Sequence, residues 1–101
     1  MALLPMLQSG AITVSNTAIK LVSQFGLSDA QLNDLAGCDV SVQSQDILVR
    51  YDGAGALTSA GMLIKANTIF RLTTRTDVLN CLMIRATGSD ATVVATALKG
   101  Q

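Results

Sequence analysis

The feature that most constrains this chain is a succession of short alternating runs, each closed by a turn signal. The clearest is Cys38-Asp39-Val40-Ser41-Val42-Gln43. Cys38, Val40 and Val42 fall on one face, and Asp39, Ser41 and Gln43 on the other, as in a half-buried strand. Residues 11–15 alternate likewise, with Ile12 and Val14 together. In residues 18–22, Ile19 and Leu21 share a face and Lys20 points away. Residues 46–51 place Ile47, Val49 and Tyr51 on one face, with Leu48 and Arg50 on the other. Tyr51 therefore reads as core. Met62-Leu63-Ile64, residues 68–73, residues 81–86 and residues 91–98 complete the set. Phe70 and Leu72 read as core and Arg71 as exposed. Leu82, Ile84 and Ala86 are in phase.

Two hairpins are expected. One joins residues 38–43 to 46–51 across Ser44-Gln45. The other joins residues 81–86 to 91–98 across Thr87-Gly88-Ser89-Asp90. No segment supplies the crossover helices that a parallel sheet needs. The expected fold is all-β, an antiparallel β-sandwich or jelly-roll-like barrel with short hairpins.

Residues 28–36 read either as one turn of helix or as a loop. Ser28 is placed as an N-cap with Gln31 three residues on, as in a capping box. Leu32 and Leu35 share a face, and Gly37 is placed to stop the turn. Residues 1–9 read as an apolar arm, because Pro5 interrupts any regular element. The arm either closes its own sheet or lies on a neighbour. Residues 10–101 read as a single β domain.

The chain has 101 residues, enough for one domain and one modest core. Half of them are apolar, yet Tyr51, Phe25 and Phe70 are the only aromatics. A core of Val, Ile, Leu, Ala and Met lacks the large area that rings bury, so stabilisation by assembly is expected. Seven basic and seven acidic residues leave no net charge. No basic stripe suits nucleic acid. No apolar run is long enough to span a membrane, and the start lacks the basic region of a secretory signal. So sparsely charged a surface is either partly interface or a neutral Ser/Thr/Gln surface.

The chain has no His, so the usual general base and the commonest metal ligand are missing. Cys38 and Cys81 lack metal or redox spacing. They read as buried thiols, with a disulfide as the alternative. Asp46 and Asp52 flank one strand, where Asp commonly satisfies turn backbone. Asp52-Gly53-Ala54-Gly55-Ala56 lacks the lysine of a phosphate loop and the spaced oxygens of a calcium loop. No enzyme activity, cofactor or metal is expected; an enzyme would need a cleft around Asp46, Asp52 and Arg50. Gly53 and Gly88 are expected to supply positive φ in their turns. Arg50 and Arg85 read as projecting onto a shared outer face, either pairing with Asp52, Asp77 or Asp90 of a neighbouring subunit, with Asp52 or Asp90 also open to Arg85 within the chain, or standing as ordinary solvated strand residues. The small apolar loop tip (Ala54, Ala56, Leu57) and the arm (Leu3, Leu4, Met6, Leu7) are interface candidates.

Three stretches together carry a family resemblance. They are Ile47-Leu48-Val49-Arg50-Tyr51-Asp52-Gly53, Thr58-Ser59-Ala60-Gly61-Met62-Leu63-Ile64, and Cys81-Leu82-Met83-Ile84-Arg85-Ala86-Thr87-Gly88-Ser89-Asp90-Ala91-Thr92-Val93. In this order they resemble small β-sandwich structural proteins of tailed bacteriophages. Ala56 stands where those proteins often carry Pro. The resemblance covers roughly residues 38 to 98. It implies a non-enzymatic virion subunit, assembled in the host cytoplasm, most simply a capsid decoration or cement protein. Its partners would be further copies of itself, as in a trimer, and the major capsid protein or neighbouring virion proteins. A neck, tail or fibre-base subunit is the alternative within that family, and a carbohydrate-binding surface module the alternative outside it. The resemblance makes Arg50, Asp52, Gly53, Gly61, Arg85, Gly88 and Asp90 determinants of fold and turns, with no catalytic role.

Overall fold

In a computed structural model of the chain, residues 6–51 and 61–100 are described. The strands, in chain order, are β1 (Met6–Val14), β2 (Ile19–Lys20), β3 (Leu35–Ser44), β4 (Ile47–Arg50), β5 (Met62–Ile64), β6 (Thr68–Leu72), β7 (Leu82–Arg85) and β8 (Ala91–Lys99). They form two four-stranded antiparallel sheets, β1-β8-β3-β6 and β2-β7-β4-β5, and neither closes on itself. The fold is all-β. The pairing is nested: β1 with β8, β2 with β7, β3 with β6, and β4 with β5. β3 also pairs with β8, and β4 with β7, completing each sheet.

One core serves both sheets. Ile12, Val14, Val40, Val42, Val93 and Ala95 enter it from the first sheet, and Ile47, Val49 and Met83 from the second. These are the alternate residues of their strands, and the period-2 pattern set the buried faces correctly for Ile12 and Val14 of β1, for β3, and for Ile47 and Val49 of β4. Ile69 is 70% exposed while Leu72 is buried, as the alternation in residues 68–73 required. Both expected hairpins fail for one reason, which is that the two pairs of sequence neighbours concerned do not pair. β3 and β4 lie in different sheets, and so do β7 and β8. Neither expected hairpin exists; residues 44–46 and 86–90 are crossings between sheets. Although Ile84 is itself buried, β7 gives the core the opposite phase from the one expected. Its fully buried residues are Cys81, just before the strand, and Met83, whereas Leu82 and Ile84 lie on the other face.

Short helices cover one end. Asp29–Asp34 forms α1, with the Ser28–Gln31 capping box in place. Gly37 does not stop it; the helix ends at Asp34, and Gly37 sits inside β3. A 3-10 turn spans Leu21–Gln24. Arg75–Asn80 forms α2, a helix that the alternation gave no sign of. Thr74 caps it by accepting the backbone N–H of Asp77, and Val78 is buried. β1 takes in Met6 to Ser9 of the expected arm, with Met6, Gln8 and Ser9 paired to β8 and Leu7 at an irregularity between them. No described helix is long and apolar enough to cross a membrane.

The opposite end is laced by the crossings. The Asp46 carboxylate accepts the Ala66 backbone N–H at 2.8 Å and the Lys65 ammonium at 3.1 Å. Its backbone carbonyl accepts the Ala86 N–H at 3.0 Å. The Asn67 N–H donates to the Val42 carbonyl at 2.7 Å, and the Arg85 N–H to that of Ser15 at 3.0 Å. Gln45 and Asn67 both have positive φ, which the sharp change of direction requires. The Asp46 carboxylate thus holds the β5–β6 crossing, and backbone bonds tie the others to it.

Candidate assembly face

The second sheet turns large aliphatic side chains outward. In β4, Ile47 and Val49 point into the core, so Leu48 must point out. The register sets Leu48 beside Ile84 of β7 and beside Leu63 of β5. One row across the sheet therefore reads Ile84, Leu48, Leu63. In the next row Leu82 stands beside Arg50 and Lys20. Leu63 is 52% exposed, whereas Ile84, flanked in mid-sheet, is 7% exposed and yet lies outside the core cluster. Where the β4–β5 hairpin opens, Met62 is 46% and Tyr51 41% exposed. Tyr51 is thus not core. β4 ends at Arg50, and Tyr51 lies beyond the last paired residue.

The expected site residues fall into three groups. Leu3, Leu4, Asp52, Gly53, Ala54, Ala56 and Leu57 lie outside the described residues. Met6 opens β1 and is 63% exposed, while Leu7 packs partly against the core. Gly61 is exposed and leads into β5. Arg50 and Arg85 do not share a face. Arg50 is on the outward side with Leu48, and Arg85 lies opposite Ile47, on the Met83 side of β7. Arg85 donates to Asp90 at 2.7 Å within the chain, so that ion pair spans the β7–β8 crossing. Gly88 does not have positive φ, and a methyl there would meet nothing within 4 Å. Thr87 orders this turn instead, its hydroxyl donating to Gln45 and accepting the Ser89 N–H.

The charged side chains work within the fold. Arg71 makes a two-pronged contact with Asp39 across β6 and β3, its Nη2 donating at 2.9 Å. That guanidinium holds the Asp39 carboxyl below its ordinary range. The Asp46 carboxyl is lowered too, by the Ala66 N–H first and the Lys65 ammonium second. Arg75 donates to the Leu32 carbonyl at 2.8 Å, tying α2 to α1. Cys38 and Cys81 are buried free thiols, and burial pushes both up to about 12. Neither offers a thiolate near neutral pH. Among the described residues, no group of three or more His, Cys, Asp or Glu is placed to hold a metal ion.

Sequence reasoning set Leu48 opposite the core face but missed the rest of the outward row, because Leu82 and Ile84 carried a plausible core reading. Leu82 and Ile84 alternate as cleanly as any buried pair. The signal that separates them is Cys81 and Met83 on the other phase, which the core takes. The chain matches no family model, no curated protein and no solved structure.

Proposed function

We propose that this chain is a non-enzymatic structural subunit of a tailed-bacteriophage virion, a capsid decoration or cement protein that seats its outward apolar face on the capsid shell. The observation that carries the reading is that face: Leu48, Leu63 and Leu82 on one side of the second sheet, around a buried Ile84 and continued by the exposed Met62 and Tyr51. Contiguous exposed apolar surface marks a site of association. We further read the two sheets as a β-sandwich of jelly-roll type. The nested pairing of first strand with last, second with seventh, third with sixth and fourth with fifth supports this, since it is what a long antiparallel ribbon gives when it folds over itself. Double-sheet jelly rolls serve in viral capsids, and also in lectins. Fold alone does not assign the role; the family resemblance of residues 38 to 98 does the rest.

The test is a density map of the intact particle, joined to mass spectrometry of its proteins. Density for two four-stranded sheets on the capsid exterior, apolar face inward, is the expected result. The same density at the neck or tail would move the subunit there, and absence of the chain from purified particles would overturn the virion reading. The exposure of Tyr51 favours one second reading, a carbohydrate-binding module, because sugar sites want an accessible ring. Glycan binding by the native chain that Tyr51→Ala abolishes would favour that reading.

A further inference from the structure

β1 is the outer strand of its sheet, and among the described residues it pairs with β8 alone. The far edge of such a strand presents backbone N–H and C=O groups to whatever approaches. Edges are normally blunted by charge, Pro, short length or a bulge. The nine residues of β1 contain no charge and no Pro. Its one irregularity lies between Met6 and Gln8, and from Gln8 to Val14 the register is unbroken. The other outer strands are protected. β2 has two residues, β5 has three, and β6 carries Arg71.

We propose that the edge of β1 pairs antiparallel with β1 of a second copy, about a two-fold axis near Gly10, joining two four-stranded sheets into one of eight strands. Symmetry argues for a second copy over a foreign strand. In a two-fold contact each residue meets the same segment running the other way, so any charge near the axis faces its own image and destabilises the pair. β1 and the short β5 are the two described strands without a charged residue; the other six each carry a Lys, Arg or Asp. Absence of charge thus permits self-pairing where the edge is long enough to use it. The middle of the strand is also open. Gln8, Ser9, Gly10 and Ala11 are all exposed, and a methyl at Gly10 would meet nothing within 4 Å. Gly10 is the midpoint of Met6–Val14. With the axis there, Gly10 meets its own image and Ser9 lies opposite Ala11. Pairing of this length makes roughly one hydrogen bond per residue position. The contact uses the first sheet and the apolar face belongs to the second, so it stands or falls apart from the virion reading.

The experiment is site-directed cross-linking beside sedimentation of the full chain. Directly opposed antiparallel residues have Cα atoms about 4.5–5.5 Å apart, within the roughly 4.4–6.8 Å that a disulfide spans. Gly10→Cys is expected to give a covalent dimer under mild oxidation at least about tenfold faster than Ile69→Cys, an exposed control on the opposite edge of the same sheet. The native thiols are buried and leave the assay clean. The native chain is expected to sediment as a dimer. A double Lys variant at Ser9 and Ala11 and the matching double Glu variant are each expected to be monomeric and to dimerise when mixed. Cross-linking of Gly10→Cys no faster than the control overturns the proposal, as does a native chain that stays monomeric at high micromolar concentration. Dimers of either like-charged variant alone overturn it too.

Discussion

A methyl group on Gly37 would lie 2.5 Å from the Leu72 carbonyl oxygen, which is main chain and cannot rotate away. β3 and β6 approach there as only glycine allows, and no turn or positive φ is involved. Gly37→Ala should therefore destabilise by about 2 kcal/mol, as overpacking does. Gly10→Ala, in open space, should change stability by no more than about 0.5 kcal/mol. Urea unfolding of the two variants checks both. The carboxylates give a second prediction at this scale. Asp39 and Asp46 are both held below their ordinary range in the folded chain. A depressed folded value means stabilisation that is present above the unfolded value and lost as pH falls through the folded one. The urea midpoint should thus be flat near neutrality and fall below about pH 4. Asp46→Asn should lower the neutral-pH midpoint and flatten part of that acid slope, because its Oδ1 contact to Ala66 and its charge on Lys65 no longer titrate. An acid slope identical in variant and native chain would show that the Asp46 carboxylate does not hold the β5–β6 crossing.

The strands were legible in the sequence and their partners were not. Alternation depends on which residues face the core, and residues 38–43 displayed it fully. Pairing depends on where a turn sends the chain. Ser44-Gln45-Asp46 has the composition of a hairpin turn, but Asp46 binds Ala66 and Lys65, twenty residues on, which draws β4 to β5 instead of back to β3. That contact is long-range and leaves no local trace. The helices show the same division. α1 was half-read, because Ser28 and Gln31 form a local signature that both the sequence and the structure contain. α2 was not read, though Thr74 and Asp77 stand at capping distance, because its six residues bury one side chain, Val78, and make no periodic stripe. Of the candidate assembly face, the outward position of Leu48 was legible from β4 alone. Leu82 and Ile84 were not, since the choice of phase in β7 is settled by the opposite sheet. Ser28→Ala removes a cap from a helix too short to persist alone. It should cost about 1 kcal/mol, read as a lower thermal midpoint with the β spectrum unchanged.

The described chain is as condensed as a complete domain, its radius of gyration of 12.8 Å matching the about 13 Å expected for 100 residues. Its outward leucines are therefore surplus to its own core. That core already takes Met83 and Val49 from the strands that carry them, so turning Leu48 and Leu63 outward gains nothing within the monomer. On the reading proposed above, the gain comes when a partner surface covers them. A half-exposed Leu fully covered on binding contributes about 1–2 kcal/mol, which is roughly five- to thirtyfold in affinity. Leu63→Glu both removes that term and buries a charge against apolar surface, so attachment should weaken by more than about thirtyfold. The same change at a side chain 52% exposed should leave monomer stability within about 0.5 kcal/mol. The measurement is co-sedimentation with capsid particles prepared without the protein, alongside urea unfolding of the same variant. Ile69→Glu, at a still more exposed position on the other sheet, should unfold and attach like the native chain. If Leu63→Glu attaches normally while remaining folded, the apolar face is not the docking surface. If both variants lose attachment, the contact extends over both sheets and the face alone does not define it.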